Sequence, residues 1–215
     1  MRIKITADST CDLSPKVLEA HDIAVVPLYV VKGDRVFRDG VDITPTEIFK
    51  YVEETGRYPS TAAVSPYDYD VHFEKYAAGY DAVIHVSLGS DFSQCHRNAL
   101  AAAAKYKNVY VFDSKNLSTG QGLLTLEAAR MAERGLNPEN ILQELQLLRD
   151  KVETSFLLDR PDYIYKGGRC SLATALGANI LHLRTCVEVS GGRMMVKKKY
   201  RGSYESAVAA YIRDR

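Results

Sequence analysis

Hydroxyl side chains gather at three points where apolar runs give way to turn-forming residues, ADSTCDLS at 7–14, LGSDFSQCHRNA at 88–99 and FDSKNLSTGQG at 112–122, and at a fourth, YPSTAAVSP at 58–66, that links two helices. Serine and threonine O–H groups beside the free N–H groups of a helix start suit an anion such as a carboxylate or a phosphate. Ser93 occupies such a place, in the first turn after Asp91. A second reading stands beside this one, because Asp91 with Gln94 is itself a capping-box pattern and hydroxyls near helix starts commonly only cap.

Other constellations divide in the same way. Asp8 and Asp12 have the look of paired carboxylates for acid–base work, but Asp8 and Ser9 also suit a loop tied to neighbouring backbone, with Asp12 or Ser14 capping a helix that opens at Pro15. Gly120-Gln121-Gly122 lacks the third glycine and the later acidic residue of a dinucleotide loop, so it reads as a turn and helix entry. Lys197, Lys198 and Lys199, with Arg193 and Arg201, offer a phosphate or an acidic partner a basic face. They alternate with Met194, Val196 and Tyr200, which is the pattern of a solvated hairpin face. No GxSxG elbow, P-loop or supported Cys–His pair is present, and no catalytic set emerges. The five histidines lack HExxH spacing, and His182 with Cys186 has no second ligand pair, so neither metal nor cofactor is expected. Cys11, Cys95, Cys170 and Cys186 are too scattered for a disulfide framework and read as reduced thiols.

The elements that would position these loops alternate between strand and helix. Residues 3–8 form a short β-rich run, 15–21 a helix, and 23–31 a nearly continuous apolar run suited to a strand covered on both faces. Thr44, Pro45 and Glu47 open a helix through about 54, and a second helix follows Pro66. A buried strand at 81–88, an alanine-rich helix at 92–106, a strand at 108–112 and helices at 119–134 and 138–151 complete a doubly wound pattern. Near residue 152 the organisation changes to a strand at 154–158, the segment PDYIYKGGRCS, an apolar helix around Leu176, and a hairpin of 186–189 against 194–200 turning at Ser190-Gly191-Gly192. Two domains are therefore expected, 1–152 and 153–215.

Composition bounds the partners. The chain has 215 residues, 46% of them hydrophobic, and a net charge of +1. That is enough to bury a core and too little charge to hold a polyanion, so no nucleic acid is expected. The start, MRIKITADST, has charges among its apolar residues and resembles neither a signal peptide nor a membrane span; a cytoplasmic protein without integral membrane association is expected.

Taken together, the loops resemble the DegV family in order and spacing over essentially the whole chain. Asp8, Ser9, Thr10, Asp12 and Leu13 meet the family's Asp-Ser-Thr and Asp-Leu pattern. Pro59, Thr61 and Ser65 match its Pro-x-Thr-Ser-x-Pro-Ser loop, with Ala62 and Val64 replacing a serine and a proline. Ser90 and Ser93 retain its Ser-x-Leu-Ser-Gly-Thr stretch, which here continues as Gln94 and Cys95. Asp113 and Ser114 match a later Asp-Ser, and Lys166, Gly167, Gly168, Arg169 and Ser171 match Lys-Gly-Gly-Arg-x-Ser. The resemblance implies an α/β two-domain fold, with an N-terminal mostly parallel sheet flanked by helices and a smaller C-terminal α/β domain. It implies a long-chain fatty acid between the domains, its carboxylate held by Thr61 and Ser93 and presented to a separate fatty acid kinase. Asp8, Ser9, Thr10, Ser65, Ser114, Gly167, Gly168 and Arg169 would support the loops or the pocket, Arg169 from a backbone that its glycine pair lets approach closely.

Family members continue beyond the point matched by Arg215, so the second domain reads as incomplete, and an unpaired strand edge there would favour a homodimer. Two rival classes remain: an enzyme acting on a small phosphorylated or acyl substrate through Asp8 and Asp113, and a non-binding interaction protein.

Overall fold

The computed structural model describes residues 1–159, 162–166 and 183–215. In chain order they begin with β1 (Ile3–Asp8), a short 3-10 turn (Ser9–Cys11), α1 (Pro15–Ala20), β2 (Ala24–Val26), β3 (Tyr29–Lys32) and β4 (Arg35–Arg38). Next come α2 (Pro45–Thr55), β5 (Ser60–Ala62), α3 (Pro66–Ala77), β6 (Ala82–Ser87), α4 (Cys95–Ala103) and β7 (Val109–Asp113). The rest are α5 (Ser118–Glu133), α6 (Pro138–Arg149), β8 (Thr154–Leu158), α7 (Asp162–Lys166), β9 (Leu183–Ser190), β10 (Arg193–Arg201) and α8 (Tyr204–Arg213). The chain divides into two units, one of Met1–Thr44 with Thr61–Val152, the other of Pro45–Ser60 with Glu153–Arg215.

The first unit is built on a parallel sheet in the order β2-β1-β6-β7. All six residues of β6 are buried, as are residues 4–8 of β1, because helices cover both faces. Side chains alternate between those faces. Ile5, Ile84 and Val86 pack with Leu124, Ala128, Ile141 and Leu145 of α5 and α6, whereas Val83 packs with Tyr69 and Phe73 of α3 and with Ala99 and Ala102 of α4. The strand order reverses direction between β1 and β6, and in such sheets ligands bind at the carboxyl ends beside that reversal. The loops after β1, β6 and β7 all end there.

The apolar run at 23–31 is not one strand. Pro27 has no N–H to give a ladder, and the chain divides there into β2, in the parallel sheet, and β3, the centre of a second sheet in the order β4-β3-β5. The helix expected from residue 92 starts at Cys95. Gln94 makes no side-chain capping bond; instead Ser93 Oγ accepts the Cys95 N–H at 3.2 Å. Caps elsewhere follow the sequence. Ser14, Ser65 and Asn137 each accept an N–H from three residues on, and each precedes a proline.

The second unit contains an antiparallel sheet in the order β10-β9-β8. Gly191 and Gly192 make its hairpin turn at φ 58° and 81°, a backbone only glycine adopts freely in succession. Cys186, Tyr200 and Ala207 form a small core under α8. Also within this unit, Tyr163 of α7 meets Phe49 and Tyr58 edge-on.

One close approach locks the first loop. A Cβ built on Gly122 would lie 2.3 Å from the carbonyl oxygen of Cys11, so α5 touches the turn after β1 with nothing between. Gly122→Ala should cost about 1–3 kcal/mol through overpacking and lower the Tm by several degrees in thermal unfolding followed by circular dichroism. Gly79→Ala, whose Cβ would meet nothing closer than 3.9 Å, serves as the control and should change it little.

Candidate functional site

The face of β1 turned to α3 is polar: Lys4, Thr6 and Asp8 are all buried. Asp8 stands at the carboxyl end of the strand, beside the reversal in strand order. Tyr69 of α3 donates its hydroxyl to Oδ1 at 2.5 Å, and the Leu88 N–H, just past β6, donates to Oδ2 at 2.7 Å. Both the helix and the loop are thereby pinned to β1. Directly across from Thr6 in the ladder, His85 shares a 2.8 Å bond with its Oγ1 through Nδ1. His85 Nε2 lies 3.4 Å from Asp8 Oδ1, within ion-pair distance but without hydrogen-bonding geometry. Burial, then the nearby His85, pushes the His72 imidazole down to about 3, so it is uncharged at neutral pH.

In the turn before α4, Ser93 Oγ donates to Cys95 Sγ at 3.2 Å. Burial raises the Cys95 pKa, and the Asp8 charge adds to it. Burial likewise holds the Tyr69 hydroxyl protonated far above its ordinary range. Ser93 is half-buried, and its acceptor Cys95 is fully buried.

The other expected residues fall into two groups. Ser9 donates to Asp39 at 2.7 Å and accepts the Leu28 N–H, tying the first loop to the link between β2 and β3 and to the residue just past β4. Thr10 donates to Gln121 Oε1 at 2.8 Å, and Gln121 donates to the Val86 carbonyl, tying the same loop to α5 and β6. Ser65 caps α3 and also donates to the Asp68 carboxylate. Ser114 is fully buried; its hydroxyl bonds Asn116 and its N–H donates to the Ser87 carbonyl, so it shapes the loop after β7. Thr61 is exposed on β5. Lys166 places its ammonium 4.5 Å from the Tyr58 ring centre. Gly167, Gly168 and Arg169 lie outside the described residues.

Asp113 ends β7 and His96 stands in the first turn of α4, near enough for each to act on the other's charge. Burial opposes the Asp113 charge, but bonds from the Ser90 and Lys115 N–H groups and the nearby His96 prevail and hold its pKa below the usual carboxylate value. His96 Nδ1 is 2.8 Å from Ser87 Oγ. That hydroxyl also lies 3.1 Å from the Phe112 carbonyl oxygen, which can only accept. Among the described residues no three His, Cys, Asp or Glu side chains are grouped to hold a metal, and no helix is long and apolar enough to cross a membrane. A cavity of about 340 Å³ lies at the opposite edge of the sheet, lined by Arg2, Asp22, Tyr80 and Glu133 among others, and shares no residue with these loops.

Sequence reasoning passed over Tyr69, His85, Cys95 as a partner of Ser93, and Gln121. A lone histidine inside the apolar strand at 82–87 was the available signal; nothing local marks Tyr69.

Residues 2–213 match the family profile described as uncharacterised protein, DegV family. The chain belongs to the DegV family. A DegV domain-containing protein of Clostridium acetobutylicum is 34% identical over 209 residues, covering 96% of this chain and 75% of that one. One from Clostridium perfringens is 31% identical over 204 residues, covering 94% and 73%. Among solved structures, a DegV family protein from Thermus thermophilus, described as binding fatty acid, superposes with a TM-score of 0.88 at 30% identity over 99% of this chain and 78% of its own. A Thermotoga maritima protein described as having fatty acid binding function gives 0.85 at 31%, over 100% and 76%. The Streptococcus pneumoniae fatty acid kinase B3 protein loaded with linoleic acid gives 0.84 at 26%, over 99% and 78%. The α/β architecture with its helix-flanked parallel sheet is the DegV fold.

Asp113 sets a pH dependence. Its folded pKa is depressed, so it stabilises the fold fully above the unfolded value of about 3.9 and loses that contribution as pH falls through the lower folded value. Asp113→Asn should flatten the acid limb of a stability-versus-pH curve measured by urea unfolding, and leave its shape above pH of about 6 unchanged.

Proposed function

We propose that this protein is a cytoplasmic carrier that binds one long-chain fatty acid and presents its carboxylate to a partner fatty acid kinase, without catalysing a reaction itself. The observation that carries the reading is Ser93: a half-buried hydroxyl in the turn before α4, at the carboxyl edge of the parallel sheet, where N–H groups and the helix dipole favour an anion. Thr61, on the exposed β5, supplies a second hydroxyl to the head group. Ser9, Thr10, Ser65 and Ser114 hold the surrounding loops, with Asp8 beneath them, and the family resemblance gives Gly167, Gly168 and Arg169 a supporting role. Supporting the ligand class are the relatives described as fatty-acid-binding, and supporting the partner is the relative described as a fatty acid kinase B protein.

Burial of an acyl chain contributes about 0.8 kcal/mol per methylene, ample for tight binding after ordering costs. Native mass spectrometry of protein purified from cells should therefore show one bound fatty acid. Thr61→Ala with Ser93→Ala should raise the Kd for palmitate or oleate by at least tenfold, since each bond to a charged oxygen contributes about 1.5–3 kcal/mol, while Tm changes little. A folded double variant with unchanged affinity would remove this head-group site.

The kinase role has its own test. Loaded protein, mixed with a purified fatty acid kinase and ATP, should yield acyl phosphate, and the stripped protein should yield none. No turnover with loaded protein, where a family member of known kinase activity succeeds, overturns the presentation step and leaves binding intact.

A further inference from the structure

We infer that Cys95 is a positioning residue that holds the Ser93 hydroxyl in reserve and releases it to the fatty-acid carboxylate, an inference that rests on the head-group role proposed for Ser93. The direction of the hydrogen bonds makes the case. The fully buried sulfur of Cys95 has lone pairs to accept with, and Ser93 Oγ donates to it at 3.2 Å. Ser93 in turn accepts the Cys95 N–H at 3.2 Å, which fixes the oxygen while leaving the proton free to swing. In the free protein the Ser93 proton points at sulfur.

Sulfur is a weak acceptor. Turning the Ser93 proton from Sγ to a charged carboxylate oxygen trades a weak bond for a charge-assisted one. An oxygen in the place of sulfur would bind the same proton more firmly and compete with the ligand. Head-group affinity is then set partly by an atom that never touches the ligand.

The test uses delipidated full-length protein and palmitate, titrated calorimetrically at fixed salt, with Cys95→Ser, Cys95→Ala, Ser93→Ala and the Ser93→Ala/Cys95→Ser pair. Cys95→Ser should raise the Kd about three- to tenfold, the scale of one hydrogen-bond difference. Cys95→Ala, which removes the competitor, should bind about twofold tighter than the parent. Over Ser93→Ala, adding Cys95→Ser should change nothing further. The carboxylate stretch of carboxyl-labelled palmitate reports donors to the head group directly, and should move toward weaker hydrogen bonding in Cys95→Ser alone. If Ser93→Ala leaves the Kd unchanged, the head-group reading falls and the positioning role falls with it. If Ser93→Ala weakens binding but Cys95→Ser and Cys95→Ala give equal Kd values, or Cys95→Ala weakens binding, the positioning role alone is overturned.

Discussion

The buried carboxylate of Asp8 is the constraint around which the first unit is arranged. A charge with no exposure to water must be matched by donors on every side, because its desolvation otherwise outweighs any gain from packing. Here the donors come from a helix and from a loop, Tyr69 and the Leu88 N–H. Neither α3 nor the turn after β6 can drift without stranding a charge. Thr6 and His85 extend the same polar stripe inward, and Lys4 ends it, with Nζ bound to the backbone and carboxylate of Asp22 and set against the Tyr76 and Tyr80 rings. A sheet face that carries Lys, Thr and Asp in alternate positions would ordinarily face water. In this protein it faces a layer of aromatic rings whose edges and hydroxyls satisfy it.

Much of the architecture was legible because it is written in local rules. Alternating apolar runs and helical periods marked β1, β6, β7 and the helices after them, and Ser14, Ser65 and Asn137 before prolines marked three helix starts. The division of 23–31 was harder. Its apolar character was plain, but which sheet each half joins depends on partners far away in sequence, and only Pro27 hints at the break. The start of α4 was misplaced for a related reason: the capping pattern of Asp91 and Gln94 is locally sound, yet Ser93 makes the capping bond instead. Local propensity ranks the options, and tertiary contacts choose among them.

The loops show a similar split between what residue types reveal and what only geometry reveals. Ser9, Thr10, Ser65 and Ser114 were recognisable as small hydroxyls in turn-rich segments. Their partners, Asp39, Gln121, Asp68 and Asn116, give each a structural task. Ser93 differs because its acceptor is a thiol, and a thiol does not hold a proton firmly. Where this chain departs from the Ser-Gly-Thr wording of its family, at Gln94 and Cys95, the departure falls on the atom that partners Ser93.

The break at Pro27 has a mechanical consequence. The same short stretch of chain ends the parallel sheet with β2 and begins the small sheet with β3, and Ser9 grips the corner through the Leu28 N–H. β5, which carries Thr61, is hydrogen-bonded to β3. The strand bearing Thr61 is thus tied to the edge of the parallel sheet through Pro27, Leu28 and one hydroxyl. Its backbone has surrendered its freedom during folding, although its side chains stand exposed.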